Sequence, residues 1–162
     1  MNKKIFILPI LTILLFCSCG KKTLFEESRT FNNDTWLRFQ PEQYSVEANN
    51  TDDCYNFTVS ITFDTSRFRE TALPIMMEIE SPDHEKRTLF STILLRNNEG
   101  NWLGEFDDNG NICVSQMVRQ FYFFNVKGKH SINLSQRTNK YEIHGIRDLN
   151  LLIEKAELEF PE

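Results

Sequence analysis

The sequence predicts an all-β protein, an antiparallel β-sandwich of jelly-roll type that follows a cleaved signal peptide. Three features predict it. Between Cys54 and Phe63, apolar and small polar side chains alternate for five full periods. Clusters of Asn, Asp and Gly break the chain into short segments. No long stretch carries a convincing apolar stripe at helical spacing. Short period-2 segments joined by polar turns are the signature of a sheet packed on a sheet.

In chain order, Met1–Lys4 form a short basic start, and Ile5–Cys19 is uncharged and rich in Ile, Leu and Phe. Crossing a ~30 Å hydrocarbon core takes ~20 helical residues, so this run is too short to span and fits the apolar core of a secretory signal. Pro9 also disfavours a permanent straight helix. The run ends Leu15-Phe16-Cys17-Ser18-Cys19-Gly20. A bacterial lipobox wants an apolar residue at −3, small residues at −2 and −1, and Cys at +1. Cys19 as acceptor places Ser18 and Cys17 at the small positions, whereas Cys17 as acceptor would put bulky Phe16 at −1. The expected lipidation site is therefore Cys19, whose sulfur is the nucleophile that takes up the diacylglyceryl group; ordinary cleavage near Ser18 is the competing reading. Stable anchoring takes two or more acyl chains at ~0.8 kcal/mol per buried CH₂. Gly20 at +2 carries no acidic retention signal, which favours the outer membrane, and Lys21 and Lys22 do not form the acidic tract of surface export, which favours its periplasmic face. The division that follows is 1–18 as signal peptide, 19–35 as lipidated tether, and 36–162 as the sandwich.

Trp36–Gln40 and Tyr44–Ala48 read as early strands. The firmest element is Cys54–Phe63, with Tyr55, Phe57, Val59, Ile61 and Phe63 on one face. After Pro74, Ile75, Met77 and Ile79 alternate with Met76, Glu78 and Glu80. Leu89–Leu95 is almost continuously apolar and compatible with a strand. For Ile112–Phe124 two readings stay open: Val114, Met117, Val118 and Phe121 fit a helical face, while Val114, Val118, Tyr122 and Phe124 could share a strand face. Ile132 and Leu134 alternate with Ser131, Asn133 and Ser135, and Leu149, Leu151 and Ile153 mark a closing strand that continues toward Leu158. Asn97–Gly100, Asp107–Gly110 and Lys127-Gly128 supply the turns.

Lys3 and Lys4 are the only charges before Cys19, so cleavage reduces the 18 basic side chains to 16 against 23 acidic ones, a balance of −7. Nucleic-acid binding rests on an excess of Lys and Arg, which this chain lacks. Fourteen Phe residues supply a core and argue against disorder.

The sequence shows no assembled catalytic or cofactor motif. His84, His130 and His144 lack the close spacing of a zinc site, and no CxxC accompanies them. Asp107-Asp108-Asn109-Gly110-Asn111 offers oxygen ligands around a glycine, but the twelfth position, where a calcium loop needs Glu, is Val118; a hairpin turn is the better reading. There is no nucleophile elbow and no phosphate-binding glycine loop. Cys54 and Cys113 could pair in an oxidising compartment or stand as two separate thiols. Trp36, Trp102 and several Tyr residues could form a sugar-stacking platform, although aromatics in a small sandwich more often fill its core.

The stretch Gly100-Asn101-Trp102-Leu103-Gly104 resembles the Gly-x-Trp-Leu-Gly signature of the gliding-motility lipoprotein GldH family. Phe123, Phe124, Gly128, Ile132, Leu134 and Gln136 are similar to that family's strand-turn-strand ending in Gln. Gly145-Ile146, then Leu149, Leu151, Ile153, Glu154 and Lys155, resemble its closing strand, and Trp36, Phe39 and Tyr55–Phe63 sit where its early Trp, Phe and first long strand do. The resemblance implies a non-catalytic accessory lipoprotein of the cell envelope, held by its lipid and in contact with protein partners of the gliding machinery and its linked secretion system. The residues alone leave a lipid-anchored glycan- or ligand-binding module as the alternative.

Overall fold

A computed structural model describes residues 23–157; the signal peptide, Cys19 and Leu158 lie outside them. The strands are β1 (Thr23–Thr30), β2 (Thr35–Leu37), β3 (Glu42–Ala48), β4 (Cys54–Asp64), β5 (Ala72–Glu80), β6 (Lys86–Leu94), β7 (Glu105–Phe106), β8 (Asn111–Phe123), β9 (Gly128–Gln136), β10 (Glu142–His144) and β11 (Ile146–Lys155). One sheet has the order β1-β11-β4-β8-β7 and the other β3-β9-β5-β6, with β10-β2 as a separate ribbon, and every pairing is antiparallel. Numbering only the eight long strands in chain order, the sheets read 1-8-3-6 and 2-7-4-5. That alternation between facing sheets is the jelly-roll arrangement.

Period-2 patterning fills the space between the sheets. Phe57, Val59, Ile61 and Phe63 of β4 and Leu149, Leu151 and Ile153 of β11 face inward with no exposure. Val46, Ile132, Leu134, Leu73 and Ile93 meet them from the other sheet. Around Phe57, the ring centroids of Tyr122 and Phe124 lie 5.2 and 6.0 Å away, and Tyr122 meets Phe124 edge-on at 5.1 Å. Such contacts add to the burial of each ring.

Three expectations change. The segment assigned to the tether contains β1, so the sandwich begins at Thr23 and not at residue 36. Its pattern hides it: inward of the strand lie Phe25, packed on Tyr44 at 6.0 Å, and then Glu27 and Arg29, which pair with each other at 2.7 Å. The strand is specified by its ladder with β11, from Thr23↔Glu154 to Thr30↔Asp148. The early strand at Trp36 is shorter than expected, Thr35–Leu37, because it pairs only with the three residues of β10. The ambiguous Ile112–Phe124 is strand as far as Phe123, as part of β8. Two register shifts against β4 place extra β8 residues opposite Asn56 and between Phe57 and Thr58. At the first of these, Phe121 takes a left-handed backbone (φ 51°), and its N–H donates to the Asn56 side-chain oxygen at 3.1 Å.

The family-like Gly-x-Trp-Leu-Gly stretch has a packing explanation. Gly100 turns the hairpin at φ 84°. Trp102 lies on Phe63 at 5.0 Å, with the Arg96 guanidinium 3.3 Å above the indole. A Cβ on Gly104 would overlap the Cys113 carbonyl oxygen and come within 2.6 Å of Ile112.

Because Phe57 has no exposure and anchors this ring cluster, Phe57→Ala is expected to lower unfolding stability by ~3–5 kcal/mol. Chemical denaturation measures this, and a loss below ~1 kcal/mol would contradict the packing described.

Candidate functional site

The residues singled out in the sequence are scattered. His84 sits in the turn between β5 and β6, its Nδ1 3.1 Å from Glu80. His130 is interior, against Phe124 at 4.7 Å, with Nδ1 3.0 Å from the Gly128 carbonyl. His144 lies on β10 beside Glu142 and Thr35. Among the described residues no group of three or more His, Cys, Asp or Glu is placed to hold a metal.

The Asp107 loop is a hairpin closed on itself. The carboxylate accepts from the Asn109 and Asn111 backbone N–H groups and from the Asn111 amide, each at 2.8 Å. Those bonds, led by the Asn111 side chain, hold the Asp107 carboxyl below its ordinary range.

Cys54 and Cys113 are both free, the first buried and the second exposed. Cys113 stands opposite Thr62 on β4 while Cys54 opens that same strand. At ~3.3 Å per residue the two are ~26 Å apart, far beyond the reach of a disulfide. Trp36 is 1% exposed and stacks on Phe31 at 5.4 Å, whereas Trp102 is half-buried beneath Arg96. The two indoles share no surface.

What the fold does assemble is an open strand edge. β6 ends its sheet, and beyond β7, which pairs only with Ile112 and Cys113, the rest of β8 ends the other. The two edges lie on the same side of the sandwich, and Gln116 closes the gap between them. Its side-chain oxygen accepts the Leu94 N–H and its amide donates to the Thr92 carbonyl, both at 2.9 Å. A side-chain amide thus takes the place of one peptide unit of an added strand. Strand alternation turns the N–H and C=O of Thr88 and Phe90 toward the same side. Their side chains lie on the outer face with Leu94, and Phe90 is 71% exposed. Underneath, Leu89 and Val118 meet over a cavity of about 10 Å³, too small for a ligand.

Sequence reasoning missed this surface because the nearly continuous apolar run Leu89–Leu95 identifies a strand but not which of its faces is interior. The usable signal was a nearly continuous apolar run, broken only by Ser91 and Thr92, in a strand that proves to be an edge. Edge strands are normally blunted by charge, proline or a bulge; β6 carries Lys86 and Arg87 at its first two positions and is uncharged from Thr88 to Leu94.

A second surface lies at the opposite end from the start of β1. An open groove of about 520 Å³ is lined by Asn33, Leu37, Gln40, Glu42 and Glu142 among others. Beside it on the β2–β10 ribbon, the exposed rings of Phe39 and Tyr141 lie 6.0 Å apart. Burial pushes the Glu42 carboxyl up, opposed by Arg29.

Fold and surfaces together define a jelly-roll domain with an open, largely apolar strand edge. A family model described as GldH lipoprotein matches residues 23–153, and the chain belongs to that family. The match opens at Thr23, the first residue of β1. Over 156 residues the chain is 24% identical to a gliding motility lipoprotein GldH homologue from Christiangramia forsetii, covering 91% of this chain and 93% of that protein. Among solved structures it is similar to the Glycosylation Associate Protein (Gap123) complex from Streptococcus agalactiae, at 13% identity over 90% of this chain and 44% of that one. The TM-score of 0.29 is too low for that likeness to bear on fold or function.

Gln116→Ala should cost about 1 kcal/mol, the net worth of its edge bonds. Hydrogen exchange at the Leu94 amide should accelerate while the β4 amides keep their rates. An unchanged Leu94 rate would show that Gln116 does not cap the edge.

Proposed function

We propose that this protein is a non-catalytic, lipid-anchored component of the bacterial envelope, an accessory subunit of gliding-motility machinery or the secretion apparatus linked to it. In this reading Cys19 is the acylated first residue of the mature chain, the body lies on the periplasmic face of the outer membrane, and residues 1–18 are removed. Membership of a lipoprotein family and the likeness to the gliding motility lipoprotein GldH homologue of Christiangramia forsetii support the reading.

The observation that carries it is the open β6 edge. Adding a strand to a sheet edge uses main-chain hydrogen bonds for affinity and alternate side-chain contacts for selectivity. With Gln116 already on the Thr92–Leu94 rung, a partner strand would pair over Lys86–Ser91, with an apolar side chain against Phe90.

The exposed Phe39–Tyr141 pair beside the Glu42–Glu142 groove favours a second reading, a lipid-anchored module that binds a glycan or other small ligand. Affinity capture of the lipidated protein from native envelope separates the two. The first reading expects co-purification of gliding or secretion subunits, and Phe90→Lys should cut that capture about tenfold, or ~1.4 kcal/mol, without changing the melting temperature. Glycan retention that is lost in Tyr141→Ala, with protein capture indifferent to Phe90→Lys, would overturn it in favour of the second.

A further inference from the structure

The chain outside the described residues has a length that matters. From Cys19 to Thr23 there are four peptide steps, through Gly20, Lys21 and Lys22. At ~3.6 Å each, Thr23 lies within ~14 Å of the anchored sulfur's own residue however the linker runs. Thr23 is already fixed in the sheet by its pairing with Glu154. Ten-residue β11, at ~3.3 Å per residue, makes the body more than twice as long as this reach. The interfacial layer of one leaflet, about 5–7 Å deep, takes up much of what is left. An acylated Cys19 therefore brings the corner of the jelly roll at Thr23 down onto the headgroups.

The same end carries the finish of β8. Thr23, Glu154, Asn56 and the Phe121 bulge lie in one row across β1, β11, β4 and β8. Three inter-strand steps of ~4.8 Å put Phe121 ~14 Å from Thr23, and two further residues along β8 put Phe123 ~16 Å away. The rings are 46% and 42% exposed, and Phe121 is held in a left-handed conformation that bulky residues rarely adopt. Phe121 and Phe123 both fall on the outward positions of β8, and the bulge leaves the Phe121 ring on that face. Tipping the body the other way, onto the β1 edge, would press Glu26 and Glu27 against lipid.

We propose that the end of the jelly roll at which β1 begins rests on the lipid surface that holds Cys19, with Phe121 and Phe123 set into its headgroup region. The inference deepens the lipid-anchor reading and depends on it. It also orients the molecule: the Phe39–Tyr141 ribbon points away from the membrane, and β6 stands along the side, open to a partner. Charge does not draw this end to lipid, because Lys86, Arg87, Lys127, Lys129 and Lys155 are outnumbered by Glu47, Asp52, Asp53, Glu80, Asp83, Glu85 and Glu154 on the strand ends and turns gathered here. The docked state should therefore persist in high salt.

The test uses full-length acylated protein carrying Cys113→Ser, with a spin label at Asn125→Cys beside the two rings or at Asn98→Cys in the far hairpin. The probe is a vesicle of phosphatidylethanolamine and phosphatidylglycerol, read by flotation and by collision of the label with dissolved oxygen and an aqueous nickel chelate. The expected result is flotation in every case, loss of most chelate collisions at Asn125 but not at Asn98, and recovery of those collisions when Phe121→Ser and Phe123→Ser are combined. Flotation with Asn125 as accessible as Asn98 would overturn the docking and leave the anchor standing. Failure to float would remove the anchor, and the docking with it. Shielding of Asn125 without vesicles that is lost on deleting residues 158–162 would assign the rings to the chain's own C-terminal segment, again overturning the proposal. Shielding without vesicles that grows with protein concentration would assign them to a second copy, with the same consequence.

Discussion

The placement of β11, the last strand, between β1 and β4 is the constraint on which the rest of the structure depends. β11 pairs with β1 along one side and with β4 along the other, and its Leu149, Leu151 and Ile153 are fully interior. The side chains that tie it to β1, Ser28 with Asn150 and Thr30 with Asp148, are more than a hundred residues apart in sequence. One sheet is incomplete until β11 is made and the other until β9 is, so most of the stabilising contacts are long-range, and folding of this topology is expected to be slow. The same pairing decides where any N-terminal anchor attaches. Because β1 is held by β11, the free linker ends at Thr23.

The two open sides of the sandwich are treated differently. On the β1–β3 side, Arg29 pairs with Glu27, donates to the Gln43 carbonyl at 2.8 Å and lies over the Tyr44 ring at 5.3 Å. Burial raises the Tyr44 phenol well above its usual range, as befits a ring enclosed there. That side is closed by charge. On the β6–β8 side, the Gln116 amide spans the gap at Thr92 and Leu94, Arg87 reaches Tyr122 near the start of β6, and the edge from Thr88 to Leu94 is uncharged. Charge at an edge deters added strands, and its absence admits them. The asymmetry gives the molecule one side fit for a partner.

Much of the fold was legible in the sequence, and the illegible parts have a common cause. Tyr55–Phe63 reads clearly because one face is wholly interior and the other wholly small and polar. β1 does not, since its inward positions past Phe25 hold Glu27 and Arg29. β8 looked partly helical because Met117 and Phe121, apolar but outward, completed a stripe with Val114 and Val118 at helical spacing. β6 shows no clear alternation because Phe90 and Leu94 are apolar on its outer face. Side chains that are apolar for contact rather than for packing blur the period that reveals a strand, so the surface obscured its own scaffold. The free thiols were beyond sequence reasoning for another reason: only the β4–β8 register separates Cys54 from Cys113.

Amide hydrogen exchange across β1 in the full-length acylated protein tests the central pairing most directly. The account predicts that alternate amides between Phe25 and Arg29 exchange slowly, on the scale of their β11 partners, and that the last protected position toward the N-terminus falls within a residue or two of Thr23. Exchange of the whole segment at the rate of an unstructured chain, with β4 and β11 still protected, would contradict it.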